Sequence, residues 1–305
     1  MRVGGSAEWL LEPTTPDELH RAWVAVHEAG SALRLLGAGA DVIVGDGLHR
    51  CVVIATSRLD RVFRPGTMED DENAFEVQPE NVGRVAQPPR DQDPRLVAWC
   101  GASLPGLVRA ASELGWSGLE GLVGVPGRLG GAVTTNAGGR WGELWDVIET
   151  VRVLDEAGEV RDLKREDCSP AYRDGRLGSA IVIGAVLRLQ SSTRAEVQDR
   201  ARSYLLEKNA VQPVTQASAG CIFKNPDREV SDGRSAGQLI DDLGLKGLRR
   251  GAAQVSLLHG NFIINLGGAR AADVLGLADE VAARVADDAG VQLEREVRTW
   301  LADQQ

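Results

Sequence analysis

Apolar positions fall into helical and strand-like runs along this chain, each bounded by capping or turn residues. Thr15-Pro16-Asp17-Glu18 predicts a helix start, with Thr15 as N-cap, Pro16 in the first turn and Glu18 closing a capping box, and the helix runs to Gly30. An apolar strand at Leu33 to Leu36 follows, then the loop Gly37-Ala38-Gly39-Ala40-Asp41, a short strand at Val42 to Val44 and another at Cys51 to Ile54. Leu96 to Cys100 is again strand-like, and Ser103 to Leu114 reads as a helix with Pro105 in its first turn and Gly115 as its stop. Alternation and turn chemistry make a hairpin of Val151 to Leu154 and Glu159 to Leu163, and Ile181 to Leu189 is a further apolar strand. Helices are predicted from Arg194 to Asn209, from Ala236 to Leu243 before Gly244, and from Ala271 to Ala289 before Gly290, with a strand at Phe262 to Asn265. Separate β-rich and helical segments, without sustained βαβ alternation, predict an α+β fold.

Between Arg64 and Arg95 the apolar pattern gives way to Pro, Asp, Glu, Gln and Asn, so an exposed excursion is expected over 65–95. At 305 residues, two or three domains are expected. No apolar run reaches the ~18 residues that span a bilayer, and the start lacks an apolar signal-peptide core, so a cytoplasmic protein is expected. A net charge of −10 argues against nucleic-acid or anionic-membrane partners, because neutralising phosphates takes clustered Lys and Arg. Cys51, Cys100, Cys168 and Cys221 stand far apart with no CxxC or Cys/His spacing, so neither a metal site nor a disulfide framework is indicated.

Candidate chemistry gathers in a few stretches. Glycines crowd the tract from Gly118 to Gly139, including Gly124-Val125-Pro126-Gly127, Gly130-Gly131-Ala132 and Asn136-Ala137-Gly138. With the Gly37 to Asp41 loop this makes two glycine-rich loops beside strands, suited to a backbone whose N–H groups cradle a phosphate-bearing cofactor. Neither has the spacing of a Rossmann fingerprint or a P-loop, and glycine-rich structural turns are the bland alternative. Ala217-Ser218-Ala219-Gly220-Cys221-Ile222-Phe223-Lys224-Asn225-Pro226 sets a thiol on a small-residue turn beside a lysine and an amide. Cys221 there is either an acid or nucleophile, with Lys224 and Asn225 holding a polar ligand, or a small packing residue. Tyr172-Arg173 reads equally as a functional pair or as an exposed loop.

Taken together these residues resemble one family over nearly the whole chain, the UDP-N-acetylenolpyruvoylglucosamine reductases, flavoenzymes of peptidoglycan precursor synthesis. The resemblance rests on Val3-Gly4-Gly5, the Gly37 to Asp46 loop, Gly118-Leu119-Glu120, the glycine motifs above, Tyr172-Arg173 and Gln212-Pro213. It continues through Ala219 to Pro226, Ala236 to Ile240, His259-Gly260-Asn261-Phe262 and Leu293 to Val297. It implies an FAD-binding PCMH-type fold of two subdomains, 1–60 and 61–195, a C-terminal α/β substrate-binding domain over 196–288, and a tail, 289–305, that returns to the flavin.

The resemblance also implies NADPH as reductant, FAD as cofactor, a UDP-sugar substrate and a monomer. Gly37, Ala38, Gly39, Ala40, Asp41, Gly124, Val125, Pro126, Gly127, Gly130, Gly131, Ala132, Asn136, Ala137 and Gly138 would hold the cofactor. Tyr172, Lys224 and Asn225 would bind substrate, and Arg173, Cys221 and Glu296 would act in catalysis. The chain departs from the family in four places. Cys221 stands where serine is common, Ala40-Asp41 replaces Ser-Asn, Gly175 occupies a position usually held by serine, and Lys208 one usually held by arginine. A segment that usually precedes Val3-Gly4-Gly5 is also expected to be absent. These departures keep two alternatives open: a catalytically weak flavin- or nucleotide-sugar-binding paralogue, and a PCMH-type FAD oxidase of an alcohol or hydroxy acid.

Overall fold

The strand Ile181–Arg188 is buried at every position but Arg188, because both of its faces are covered. It is the middle strand of a five-stranded antiparallel sheet, in the order Val160–Lys164, Ile148–Leu154, Ile181–Arg188, Arg95–Trp99, Val62–Phe63. The structure, a computed structural model, describes residues 1–65 and 93–302, so the excursion expected over 65–95 lies almost wholly outside the described residues. The chain forms two compact units: one of Met1–Trp9, Gly39–Cys51 and Glu207–Gln305, the other of Leu10–Ala38 and Val52–Leu206.

In the second unit the five-stranded sheet packs through Leu96, Ala98, Val151, Val153, Ala185 and Leu187 against Leu104, Leu107, Leu129 and Trp145. Burying each such leucine stabilises the fold by about 1.5–3 kcal/mol. The predicted helix at Leu104–Leu114 starts at Ser103, whose hydroxyl accepts from the Gly106 N–H at 3.0 Å, and stops at Gly115 with φ +72°. The helix expected to run to Gly30 spans Pro16–Glu28 with Thr15 as its cap, and Glu18 accepts from the N–H and hydroxyl of Thr14 at 2.7 and 2.8 Å. Leu33–Leu36 pairs in parallel with the Val52–Ala55 stretch of the strand Leu48–Ala55. Tyr204, on the helix Arg194–Val211, stacks on Trp141 with ring centroids 4.9 Å apart, so it has a packing role.

In the first unit four antiparallel strands lie in the order Ser218–Cys221, Phe262–Asn265, Ala253–Val255, Arg249–Arg250. The helix Ala271–Ala289 covers them with Val274, Leu277, Val281 and Val285 and stops at Gly290, φ +69°. Its N-terminus is capped from a distance: the Asp46 carboxylate accepts from the N–H groups of Ala271 and Ala272, both at 3.0 Å. Burial raises the pKa of that carboxyl, but these two bonds and the charge of Arg270 outweigh it and hold the group below its ordinary value. Arg298–Trp300 runs parallel to Val42–Val44.

Candidate functional site

Gly37, at the start of the first predicted glycine-rich loop, meets the later loop within the second unit. A Cβ placed on Gly37 would lie 3.5 Å from Cβ and Cγ of Arg128, whose guanidinium donates to the Gly101 carbonyl at 2.8 Å. The later loop is pinned to the sheet by Leu129 N–H to Ala102 O and Gly130 N–H to Cys100 O, both 2.8 Å, and by Leu104 N–H to Gly127 O at 3.1 Å. Gly127 sits at φ +136°, a conformation that other residues rarely adopt, and a Cβ built on Gly130 would lie 3.0 Å from the Cys100 Cβ. Beneath them the short helix Leu129–Thr134 buries Leu129, Ala132 and Val133. Above, Gly124 and Gly131 are exposed, and nothing lies within 4 Å of a Cβ built on Gly131. A packed underside and bare upper backbone fit a large phosphate-bearing cofactor that touches main chain.

Asn136 was expected among the cofactor-binding residues, but its carboxamide turns inward. The residue is 2% exposed, and its Nδ2 donates to Glu143 Oε2 at 2.8 Å and to Ala171 O at 3.0 Å, while Oδ1 accepts from Trp145 N–H at 3.3 Å. Both amide hydrogens are therefore used inside the unit, and the backbone N–H of Asn136 also donates there, to Val133 O at 3.2 Å. Ala137 and Gly138 continue as scaffold, with Gly138 opposite Glu143 in a tight hairpin.

Tyr172 and Arg173 form the tip of a turn closed by two bonds between Ala171 and Asp174, of 2.8 and 3.1 Å. Arg173 occupies the left-handed region at φ +57°, and its guanidinium lies 5.0 Å from the centroid of the Tyr172 ring. A non-glycine residue held there is strained, and such strain gathers at functional sites. The turn abuts the short helix: Gly175 N–H donates to Thr134 O at 2.9 Å, and a Cβ on Gly175 would lie 2.3 Å from Val133 O and 3.0 Å from the Trp145 indole nitrogen. The space that a serine needs at this position is closed.

The first unit holds Cys221. Its strand is irregular between Ser218 and Cys221, where Gly220 takes φ +78°, and this kink sets Cys221 opposite Phe262. Cys51, Cys100 and Cys168 are buried, and Cys221 is the half-buried thiol among them. Burial pushes the Cys100 thiol up to about 12 and raises that of Cys168, as expected of inert packing residues. The tail runs beside the Cys221 strand: Lys224 N–H donates to Glu294 O and Glu296 N–H to Ile222 O, each at 2.8 Å. Cys221 and Glu296 thus stand on adjacent segments, one register step apart.

Lys224 Nζ meets Glu294 Oε1 at 2.6 Å, and Asn225 Oδ1 accepts from Ala236 N–H at 3.1 Å, at the start of the helix Ala236–Asp242. Both side chains therefore have partners on this unit. On the other arm of the first loop, Asp41 O accepts from Arg298 N–H at 3.1 Å.

One residue of the site went unassigned in the sequence. Asn261, 3% exposed, donates to Phe223 O at 2.7 Å, accepts from Phe223 N–H at 2.9 Å, and offers its own carbonyl to Ile222 N–H at 2.9 Å. It fixes the segment just after Cys221. The available signal was an asparagine opening an apolar strand, in His259-Gly260-Asn261-Phe262.

The family model described as the UDP-N-acetylenolpyruvoylglucosamine reductase C-terminal domain matches residues 212–300, and one described as an FAD binding domain matches 7–164. Similar chains named UDP-N-acetylenolpyruvoylglucosamine reductase include that of Geotalea uraniireducens, 34% identical over 98% of this chain and 89% of its own length. That of Syntrophobacter fumaroxidans is 37% identical over 97% of this chain and 79% of its own. The crystal structure of the Thermus caldophilus UDP-N-acetylenolpyruvylglucosamine reductase superposes with a TM-score of 0.74 at 36% identity, over 98% of this chain and 94% of that one.

Proposed function

This chain belongs to the UDP-N-acetylenolpyruvoylglucosamine reductases, and on that premise we propose how its residues divide the NADPH-dependent, FAD-requiring reduction of UDP-N-acetylglucosamine enolpyruvate to UDP-N-acetylmuramate. Bound FAD supplies the hydride chemistry, carrying two electrons from NADPH to the terminal carbon of the enolpyruvyl ether. The backbone of Gly37 to Asp41 and of Gly124 to Ala132 would hold the cofactor's phosphates, which suits the bare main chain at Gly124 and Gly131. Neither the silent paralogue nor the oxidase is favoured by similarity that extends over nearly the whole chain.

As hydride arrives at the terminal carbon, negative charge grows on the substrate carboxylate. Arg173 answers that charge, because a guanidinium stays protonated and can pair two carboxylate oxygens. Cys221 then gives its proton to the carbon next to the carboxylate, and Glu296 hydrogen-bonds the enol-like species or feeds the proton path. Tyr172, Lys224 and Asn225 orient the UDP-sugar. The observation that carries this reading is the half-buried Cys221 at a strand irregularity, on a segment bonded to the one that carries Glu296. A nucleotide-sugar substrate and NADPH as reductant suit a cytoplasmic reaction, and a monomer is the working form proposed.

The purified protein should show flavin absorbance that NADPH bleaches without oxygen and that the enolpyruvyl UDP-sugar restores. A colourless protein that takes up no added FAD would contradict the reading.

A further inference from the structure

The turn that carries Arg173 hangs from the end of the flavin loop on both of its sides. On one side the Asn136 amide donates to Ala171 O at 3.0 Å, two residues before Arg173. On the other, Gly175 N–H donates to Thr134 O at 2.9 Å, two residues after it. Residues 134 to 136 thus bracket a turn whose tip is held in a left-handed conformation, φ +57° at Arg173. Asn136 is itself fixed, at φ +43°, by Glu143 Oε2 and by Trp145 N–H, and the Trp145 indole donates to Val133 O at 2.8 Å. Without the Asn136 contact, the Ala171 side of the turn would lose the side-chain donor that ties it to this loop.

We propose that Asn136 is a positioning residue for the reaction, whose amide holds Ala171 and through it aims the Arg173 guanidinium. The inference rests on Arg173 acting on the substrate carboxylate, as read above. Its chemistry is specific. One hydrogen of a single NH2 group serves Glu143 and the other serves Ala171, so the two contacts can be separated by exchanging donor and acceptor.

Asn136→Asp combined with Glu143→Gln makes that separation. The glutamine amide now donates to the new carboxylate, which still accepts from Trp145 N–H, but Ala171 O faces an acceptor instead of a donor. The holoenzyme of this double variant should keep its flavin and its NADPH-driven bleaching near wild type. Its kcat with the enolpyruvyl UDP-sugar should fall by ~10², the scale of loss when a reacting group is misplaced by about 1 Å. KM should change much less. Asn136→Ala, which loses both of these contacts and the bond from Trp145 N–H, should lose kcat to a similar degree and shed flavin or thermal midpoint in addition.

Wild-type kcat in the double variant would overturn the proposal, because the Glu143 contact alone would then suffice. Arg173→Ala, measured beside it, separates the two levels. If Arg173→Ala is slow and the double variant is not, only the role of Asn136 falls. If Arg173→Ala turns over like wild type, the role of Arg173 falls and takes this inference with it.

Discussion

Cys221→Ala is expected to slow formation of the reduced UDP-sugar by ~10²–10⁴, the usual contribution of a general acid, while NADPH still bleaches the bound flavin at its wild-type rate. The two halves separate because the thiol serves only the second, in which a carbon must be protonated. Cys221→Ser should keep much of the activity, since a hydroxyl can occupy the same place and carry the same proton. The fold around the site supports this choice of thiol over the other three. Cys51, Cys100 and Cys168 are buried in packing positions, whereas Cys221 follows a glycine kink and lies half open beside the Glu296 segment. Equal rates of product formation in wild type and Cys221→Ala, with equal bleaching, would remove the proton-donor role. Inactivation by a thiol-alkylating agent should track Cys221 and vanish in Cys221→Ser.

Arg173→Ala is expected to lower kcat by ~10²–10³, the scale of losing one preorganised group aimed at developing charge. Arg173→Lys should recover little of it, because an ammonium cannot match two carboxylate oxygens as a planar guanidinium does. Gly175→Ser reaches the same residue indirectly and runs against the family pattern. The family resemblance implies serine at this position, yet here a Cβ would lie 2.3 Å from Val133 O, so the turn or the short helix beneath it must shift. We expect Gly175→Ser to destabilise the protein by about 1–3 kcal/mol, as overpacking does, and to lower kcat through a displaced Arg173. Urea unfolding with paired turnover measurements checks both. Wild-type stability and kcat in Gly175→Ser would show that the turn accommodates the side chain without moving Arg173.

Elements that were legible in the sequence are those whose ends carry their own chemistry. Thr15 and Ser103 accept hydrogen bonds at helix starts, and Gly115 and Gly290 stop helices in the left-handed conformation, so local residues alone mark these boundaries. The strand Ser6–Leu11 was missed because its polar–apolar alternation, Ser6 to Trp9, is short and breaks at Leu10; Ser6 to Leu10 are all exposed. The strand Ser218–Cys221 is built from small residues around a kink, and its pairing with Phe262–Asn265 bridges a long stretch of chain that no local pattern encodes. The helix Leu129–Thr134 contains Gly130 and Gly131, poor helix formers, and exists because Leu129, Ala132 and Val133 are buried under it.

For the site, residue types were legible and directions were not. Asn136 was readable as part of a cofactor motif, but only the fold shows that its amide faces Glu143 and Ala171. Asn261 carried no motif strong enough to assign a role, because its work is to satisfy the backbone of Ile222 and Phe223, a task set by tertiary pairing.

The most direct test of the account is the rate at which the flavin-loaded protein oxidises NADPH with and without UDP-N-acetylglucosamine enolpyruvate. The account predicts that the substrate raises this rate and that the product carries two added hydrogens across the enolpyruvyl double bond. NADPH oxidation no faster with the substrate than without it would contradict the central claim.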